Sequence, residues 1–175
     1  MKSKYFVKLP LIFSLMAVLL WGCAAPVRIV TEPPPFPDGL MSAKWGASAE
    51  DVRRAILSDG NKLFEERTDG PPYALYATGP YLNIPATFSY FFTPKSKKLF
   101  RVDITFEGPK SYGEVRNDLI QKFKGPSLSH KDVDHWSWKD KSLVILQKDP
   151  SNVQISFSSG PFLMLNQKEG NGLLK

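Results

Sequence analysis

The residues with the widest chemical scope lie in one run, His130-Lys131-Asp132-Val133-Asp134-His135. Two imidazoles and two carboxylates within six positions are donor types that a zinc or nickel ion accepts. In an extended strand, however, His130, Asp132 and Asp134 share one side while His135 turns to the other. The run is therefore read as a polar loop leading into a strand, and no metal is assigned to it. Ser48 sits in Gly46-Ala47-Ser48-Ala49-Glu50, near the nucleophile-elbow pattern, but Glu50 stands where that pattern needs a second glycine and no strand precedes it. No HExxH, P-loop or GxGxxG occurs, no serine is followed three positions later by lysine, and the acids are scattered. No catalytic residue and no cofactor is assigned.

Cys23 is the only cysteine, so a disulfide within the chain is impossible and a cysteine-based metal site is excluded. Ahead of it, residues 1–22 have the parts of an export signal: Lys2, Lys4 and Lys8 without an acid, then an apolar run from Leu9 to Leu20 interrupted by Pro10 and Ser14. That run would rise about 18 Å as a helix, against about 30 Å of hydrocarbon, so it is too short for a lasting transmembrane span. Leu20-Trp21-Gly22-Cys23 resembles the lipobox of bacterial lipoproteins, with Trp21 where a small or β-branched residue is usual. The resemblance implies cleavage after Gly22 and lipid attachment at Cys23, hence a membrane partner. Two or more acyl chains anchor stably, at about 0.8 kcal/mol per buried CH2. Ala24, not Asp, follows the cysteine; in Gram-negative lipoproteins this favours the outer membrane over the inner one.

The chain has 23 Lys+Arg against 17 Asp+Glu; without Lys2, Lys4 and Lys8 the balance is 20 to 17, a net charge of +3. No long basic stripe exists, which argues against nucleic acid as a partner. Pro94-Lys95-Ser96-Lys97-Lys98 is the densest basic cluster and is read as a solvated turn. Residues 24–40, with Pro26, Pro33, Pro34, Pro35 and Pro37, are read as a tether behind the lipidated cysteine, reaching about 50 Å if extended. A spacer is favoured over a PxxP ligand. Residues 41–175 are long enough for one domain with a real core.

Within that domain, Ser48 and Asp51 form a near capping box, and Val52, Ala55 and Ile56 mark the buried stripe of a helix ending near Gly60. Strands are predicted over Tyr73–Thr78, Ala86–Thr93 and Leu99–Phe106. A second helix is predicted from Ser111 to Lys124, with Tyr112, Val115, Leu119 and Phe123 on one face. Strands over His135–Trp138, Ser142–Lys148 and Asn152–Ser158 follow, then a segment from Gly160 to Lys175 without a clear period.

The order helix, three strands, helix, three strands suggests a duplication, with halves at about 44–108 and 109–160. Local wording recurs: Asp51-Val52-Arg53-Arg54 against Glu114-Val115-Arg116-Asn117, and Asp103-Ile104-Thr105-Phe106 against Gln154-Ile155-Ser156-Phe157. The fold class is therefore α+β, two tandem αβββ units forming one antiparallel domain. A unit opening with Trp45-Gly46, Ser48 and an acidic helix start at Asp51 resembles the fold shared by β-lactamase inhibitory proteins and the small accessory lipoprotein of the outer-membrane β-barrel assembly machine. That resemblance implies protein binding through the sheet or its loops, without catalysis.

Two aromatic groups are candidates for core or binding surface. Trp136 and Trp138 share a strand face. Along Phe88–Phe92, Phe88, Tyr90 and Phe92 point one way while Phe91 points the other, so the second face needs a cover or a partner. Together these features predict an envelope lipoprotein that binds another protein or an envelope component; the alternative is an envelope hydrolase acting on cell-wall material or lipid.

Overall fold

The computed structural model describes residues 34–171; the signal segment, the lipobox with Cys23 and the first part of the tether lie outside them. The described chain is mixed α+β, with three helices, one large antiparallel sheet of eight strands and a two-stranded hairpin. The hairpin, β1 (Gly39–Leu40) and β2 (Ala43–Lys44), leads into α1 (Ala49–Ser58). Four strands follow, β3 (Lys62–Arg67), β4 (Ala74–Tyr81), β5 (Ile84–Phe92) and β6 (Leu99–Glu107). A 3-10 turn (Pro109–Ser111) opens α2 (Tyr112–Phe123). Four more strands come next, β7 (Leu128–His130), β8 (Val133–Ser137), β9 (Leu143–Lys148) and β10 (Asn152–Ser158), before α3 (Gly160–Asn171).

The strand order is β3-β4-β5-β6-β10-β9-β8-β7. The fourth strand after each of the first two helices thus meets its counterpart at the centre. β6 and β10 pair antiparallel from Glu107↔Asn152 to Arg101↔Ser158. Each helix is followed by four strands where the periodicity predicted three.

The core lies on one face of this sheet. Phe88, Tyr90 and Phe92 of β5, Val102, Ile104 and Phe106 of β6, Val153, Ile155 and Phe157 of β10, and Val144 and Leu146 of β9 are buried there. Val52, Ala55 and Ile56 of α1 and Val115, Leu119 and Phe123 of α2 close over them. A fully buried side chain of this kind stabilises by about 1.5–3 kcal/mol. The cap of α1 is as the sequence predicts: Ser48 Oγ accepts from the Asp51 amide at 3.2 Å and donates to the Asp51 carboxylate at 2.6 Å. That geometry gives Ser48 a structural role. At the far end of α2, Lys124 takes a left-handed φ of 68°, and its carbonyl accepts from Trp136 Nε1 at 3.0 Å. Trp136 itself is wholly buried.

The β1–β2 hairpin, just ahead of Ser48, is not among the predicted elements, and three further elements depart from the expected ones. β3 has charged Lys62, Glu65, Glu66 and Arg67 and a register shift between Leu63 and Glu65, which erases the alternation. β7 is three exposed residues at the opposite sheet edge. α3 occupies the stretch without a clear period; Pro161 falls in its first turn, where a missing amide is tolerated. Its apolar residues sit together in Phe162-Leu163-Met164-Leu165 instead of forming a stripe.

The tether ends earlier than Leu40. Phe36 stacks on Trp45 at 5.7 Å between ring centroids and meets Trp138 edge-on at 5.0 Å. Trp45 Nε1 donates to the Pro37 carbonyl at 2.8 Å, and Trp138 Nε1 to the Pro34 carbonyl at 2.7 Å. The last prolines of the spacer are therefore a strap seated on the folded body, because they supply free carbonyl acceptors to two indoles that need them when buried.

Gly79 of β4 permits a close approach: a Cβ there would lie 1.7 Å from Oδ1 of Asn61, which is itself buried. Gly79→Ala is expected to lower unfolding free energy by about 1–3 kcal/mol in urea titrations, from the overpacking. Gly70, where nothing lies within 4 Å, should accept alanine without such a loss.

Candidate functional site: the sheet face turned away from the first two helices

Side chains alternate along a strand, so every core residue of the sheet has neighbours facing the other way. The pairing registers place them in transverse rows. One row runs Glu65, Tyr76, Ser89, Asp103, Ser156, Ile145, His135 and Leu128 across all eight strands. The next runs Thr78, Thr87, Thr105, Gln154, Gln147 and Val133. α1 and α2 pack on the opposite face, and α3 packs against β6 at the β5–β6 turn end of the sheet, where its Asn166 shares a small cavity with Phe91 and Phe100. There Glu169 accepts from the backbone amides of Lys95 at 2.8 Å and Ser96 at 3.0 Å, so the basic cluster is a turn tied down by a helix.

Chemically this face is polar at its centre and apolar at its flanks. At the centre Asp103 receives Arg101 Nε and Nη2 at 2.6 Å each, Ser156 Oγ at 2.8 Å and Gln154 Nε2 at 3.1 Å. Four donors leave this carboxylate no free lone pair aimed at a substrate, and a bidentate pair of this kind is geometrically rigid. The Arg101 guanidinium also lies 5.5 Å from the Phe91 ring centroid. On the β3 flank, Phe64 is 53% exposed, its ring 6.3 Å from Tyr76, and Arg67 lies over Tyr76 at 5.4 Å. On the other flank Leu128 is 62% exposed, with half-buried Ile145 and His135 beside it.

A groove of about 590 Å3 continues the face at the β4–β5 hairpin, lined by Thr78, Pro80, Pro85, Thr87, Thr105 and Glu107 among others. Glu107 is its single titratable lining residue. The groove offers shape and apolar surface but no pair of groups to pass a proton between.

The histidine run is rearranged by a hairpin. β7 and β8 pair Leu128↔His135 and His130↔Val133, which puts His130 and His135 on the same face and turns Asp134 to the helix side. The single-strand expectation that His130 and Asp134 share a face fails because the chain reverses between them. Asp134 is 1% exposed and accepts from Arg116 Nε at 2.6 Å, from Tyr112 Oη at 3.2 Å and from Ser129 Oγ. No group of three or more His, Cys, Asp or Glu able to hold a metal occurs among the described residues. Burial pushes the Asp134 carboxyl up, but hydrogen bonds from Arg116 and Ser129 and the Arg116 charge outweigh it and hold the group below the usual carboxylate range.

The aromatic candidates also separate. Trp136 is core. Trp138 lies just beyond β8 and joins Phe36 and Phe123, the latter at 5.3 Å, so neither tryptophan forms an open platform. In β5, Phe88, Tyr90 and Phe92 are core, and only Phe91 belongs to the other face. Cys23 lies outside the described residues. Sequence reasoning missed Phe64, Tyr76, Asp103 and Ile145 as members of one surface. Alternation marked Asp103 as facing away from the core, but only the strand order sets it beside Ser156 and Ser89.

Because the folded Asp134 pKa is depressed, its contribution is complete above the unfolded value near 4 and is lost as pH falls through the folded value. Asp134→Asn is expected to cost about 1.5–3 kcal/mol at pH 7, the range for hydrogen bonds to a charged group. The gap to the parent chain should narrow below about pH 4, as measured by denaturant unfolding across pH. No family model matches this chain, and no curated protein or solved structure matches it either.

Proposed function

We propose that this chain is a lipid-anchored protein of the bacterial envelope that binds another protein or envelope component through the sheet face turned away from α1 and α2, without catalysing a reaction on it. The observation that carries this reading is the division of labour between the two faces. One is sealed by helices; the other presents Phe64, Tyr76 and Leu128 around a polar centre whose charges are already paired. An exposed sheet face with an aromatic flank suits macromolecular recognition, where aromatic anchors dominate the binding energy.

The strand order supports a duplicated unit as the origin of this surface. Helix plus four strands occurs twice in the element order, and the two sets meet through their last strands. A duplication would explain the recurring Val-Arg wording of α1 and α2 and the matched β6 and β10 sequences. The basic and apolar N-terminus ending at Cys23 supports the anchor, and Ala24 supports the outer membrane's periplasmic face as its address. No helix among the described residues is long and apolar enough to cross a membrane.

Cells fed an alkynyl fatty acid are expected to yield labelled parent chain and unlabelled Cys23→Ser chain; equal labelling would remove the anchor from the account. A photo-crosslinking amino acid at Tyr76 or Thr105 should trap a discrete partner in intact cells. The same group at Arg54, on the solvent side of α1, should trap none. Adducts from Arg54 alone would place the partner elsewhere.

A further inference from the structure

The strap at the start of the described chain is held in an unusual way. Of residues 34–37, three are prolines without an amide to donate, and they join neither the hairpin nor the large sheet. The two hydrogen bonds that hold their carbonyls come from the indoles of Trp45 and Trp138, and they fall on Pro37 and Pro34, three residues apart. A polyproline II helix has three residues per turn, so carbonyls at that spacing lie on one side of it. Between them Phe36 fills a slot walled by Trp45 and Trp138, with Phe123 behind Trp138 at 5.3 Å. Aromatic walls and indole donors facing the carbonyls of a Pro-x-x-Pro segment are the means by which proline-rich peptides are bound between separate proteins. Here both halves of the recognition are in one chain.

The slot also continues past its occupant. A cavity of about 340 Å3 begins where Pro37 leaves it, walled by Gly39, Leu40, Tyr81, Phe123 and Phe157, with Lys122 at its side. Phe123 is shared between this cavity and the aromatic slot, so the two form one run of apolar surface of which the strap fills only part.

We propose that the Trp45–Trp138 clamp is a receptor site for proline-rich segments of Pro-x-Phe-Pro type, occupied in cis by residues 34–37 and taken by such a segment of another polypeptide when the strap leaves. The clamp is distinct from the sheet face described above. Occupation in cis has two effects. It shortens the tether by at least four residues, about 12 Å at polyproline rise. It also masks the site, because a ligand joined by a short linker competes at an effective concentration in the millimolar range.

The test uses the full chain in detergent and a fluorescein-labelled peptide with the sequence of residues 32–38. The parent chain should bind the peptide at least ten-fold more weakly than Phe36→Ser, in which the strap no longer competes. The same peptide with its phenylalanine replaced by serine should not bind either chain. Adding Trp138→Phe to Phe36→Ser should weaken peptide binding again, since the ring is kept and the donor removed. Because Phe36→Ser could loosen the fold, Pro34→Gly with Pro35→Gly serves as a second unlatched chain; it leaves the ring in place and makes strap ordering costlier. Peptide binding no tighter to either unlatched chain than to the parent, with near-ultraviolet dichroism unchanged, would show the strap to be a fixed part of the core and overturn the proposal.

Discussion

The pairing of β6 with β10 is the constraint on which the rest of the described fold depends. Each group of four strands would present an unpaired edge along its last strand, β6 or β10, if it stood alone. Joined, the two edges disappear into seven cross-strand pairs, and Val102, Ile104 and Phe106 align with Phe157, Ile155 and Val153 in a continuous apolar band. That band is what α1 and α2 cover. The same register fixes the opposite face, because every residue that points to the helices commits its neighbours to point away. Arg101, Asp103 and Thr105 meet Ser158, Ser156 and Gln154 there, and the pairing brings Ser156 and Gln154 to the Asp103 carboxylate that Arg101 holds from its own strand.

The outer edges are managed differently from the central one. β3 carries four charged residues, and Arg53 of α1 reaches across to the Glu66 carboxylate. β7 is only three residues long. Charge on one edge and brevity on the other discourage pairing with a further strand. Both edges are thereby disfavoured for further strand pairing.

The legible parts of the chain were those in which a local rule and the tertiary environment agree. β10 alternates along Asn152–Phe157, and β6 along Arg101–Phe106 beyond the register shift at its start, because one side of each is buried; the Ser48–Asp51 cap is a contact between near neighbours. The illegible parts answer to distant partners. β3 is a strand because β4 supplies its hydrogen bonds, not because its residues alternate. α3 is a helix whose acid Glu169 caps a turn more than 70 residues away. The strap reads as a spacer by composition, yet Trp138, 104 residues from Pro34, gives it a seat. The histidine run misleads for the same reason: a two-residue reversal at Lys131-Asp132 changes which side chains share a face, and Arg116 claims Asp134. Phe64, Tyr76 and Ile145 become one surface only through a strand order that no local pattern encodes.

In the proposed reading, one face of the sheet is left uncovered for a partner while the other is closed by helices. Hydroxyl-radical footprinting, on the purified chain and on intact envelopes, tests it most directly. In the purified chain Phe64 and Tyr76 should be labelled while Phe88, Tyr90 and Trp136 stay protected; in envelopes labelling of Phe64 and Tyr76 should fall while Leu57, 60% exposed on α1, stays unchanged. Equal labelling of Phe64 and Tyr76 in the two preparations, or early labelling of Trp136 in the purified chain, would contradict it.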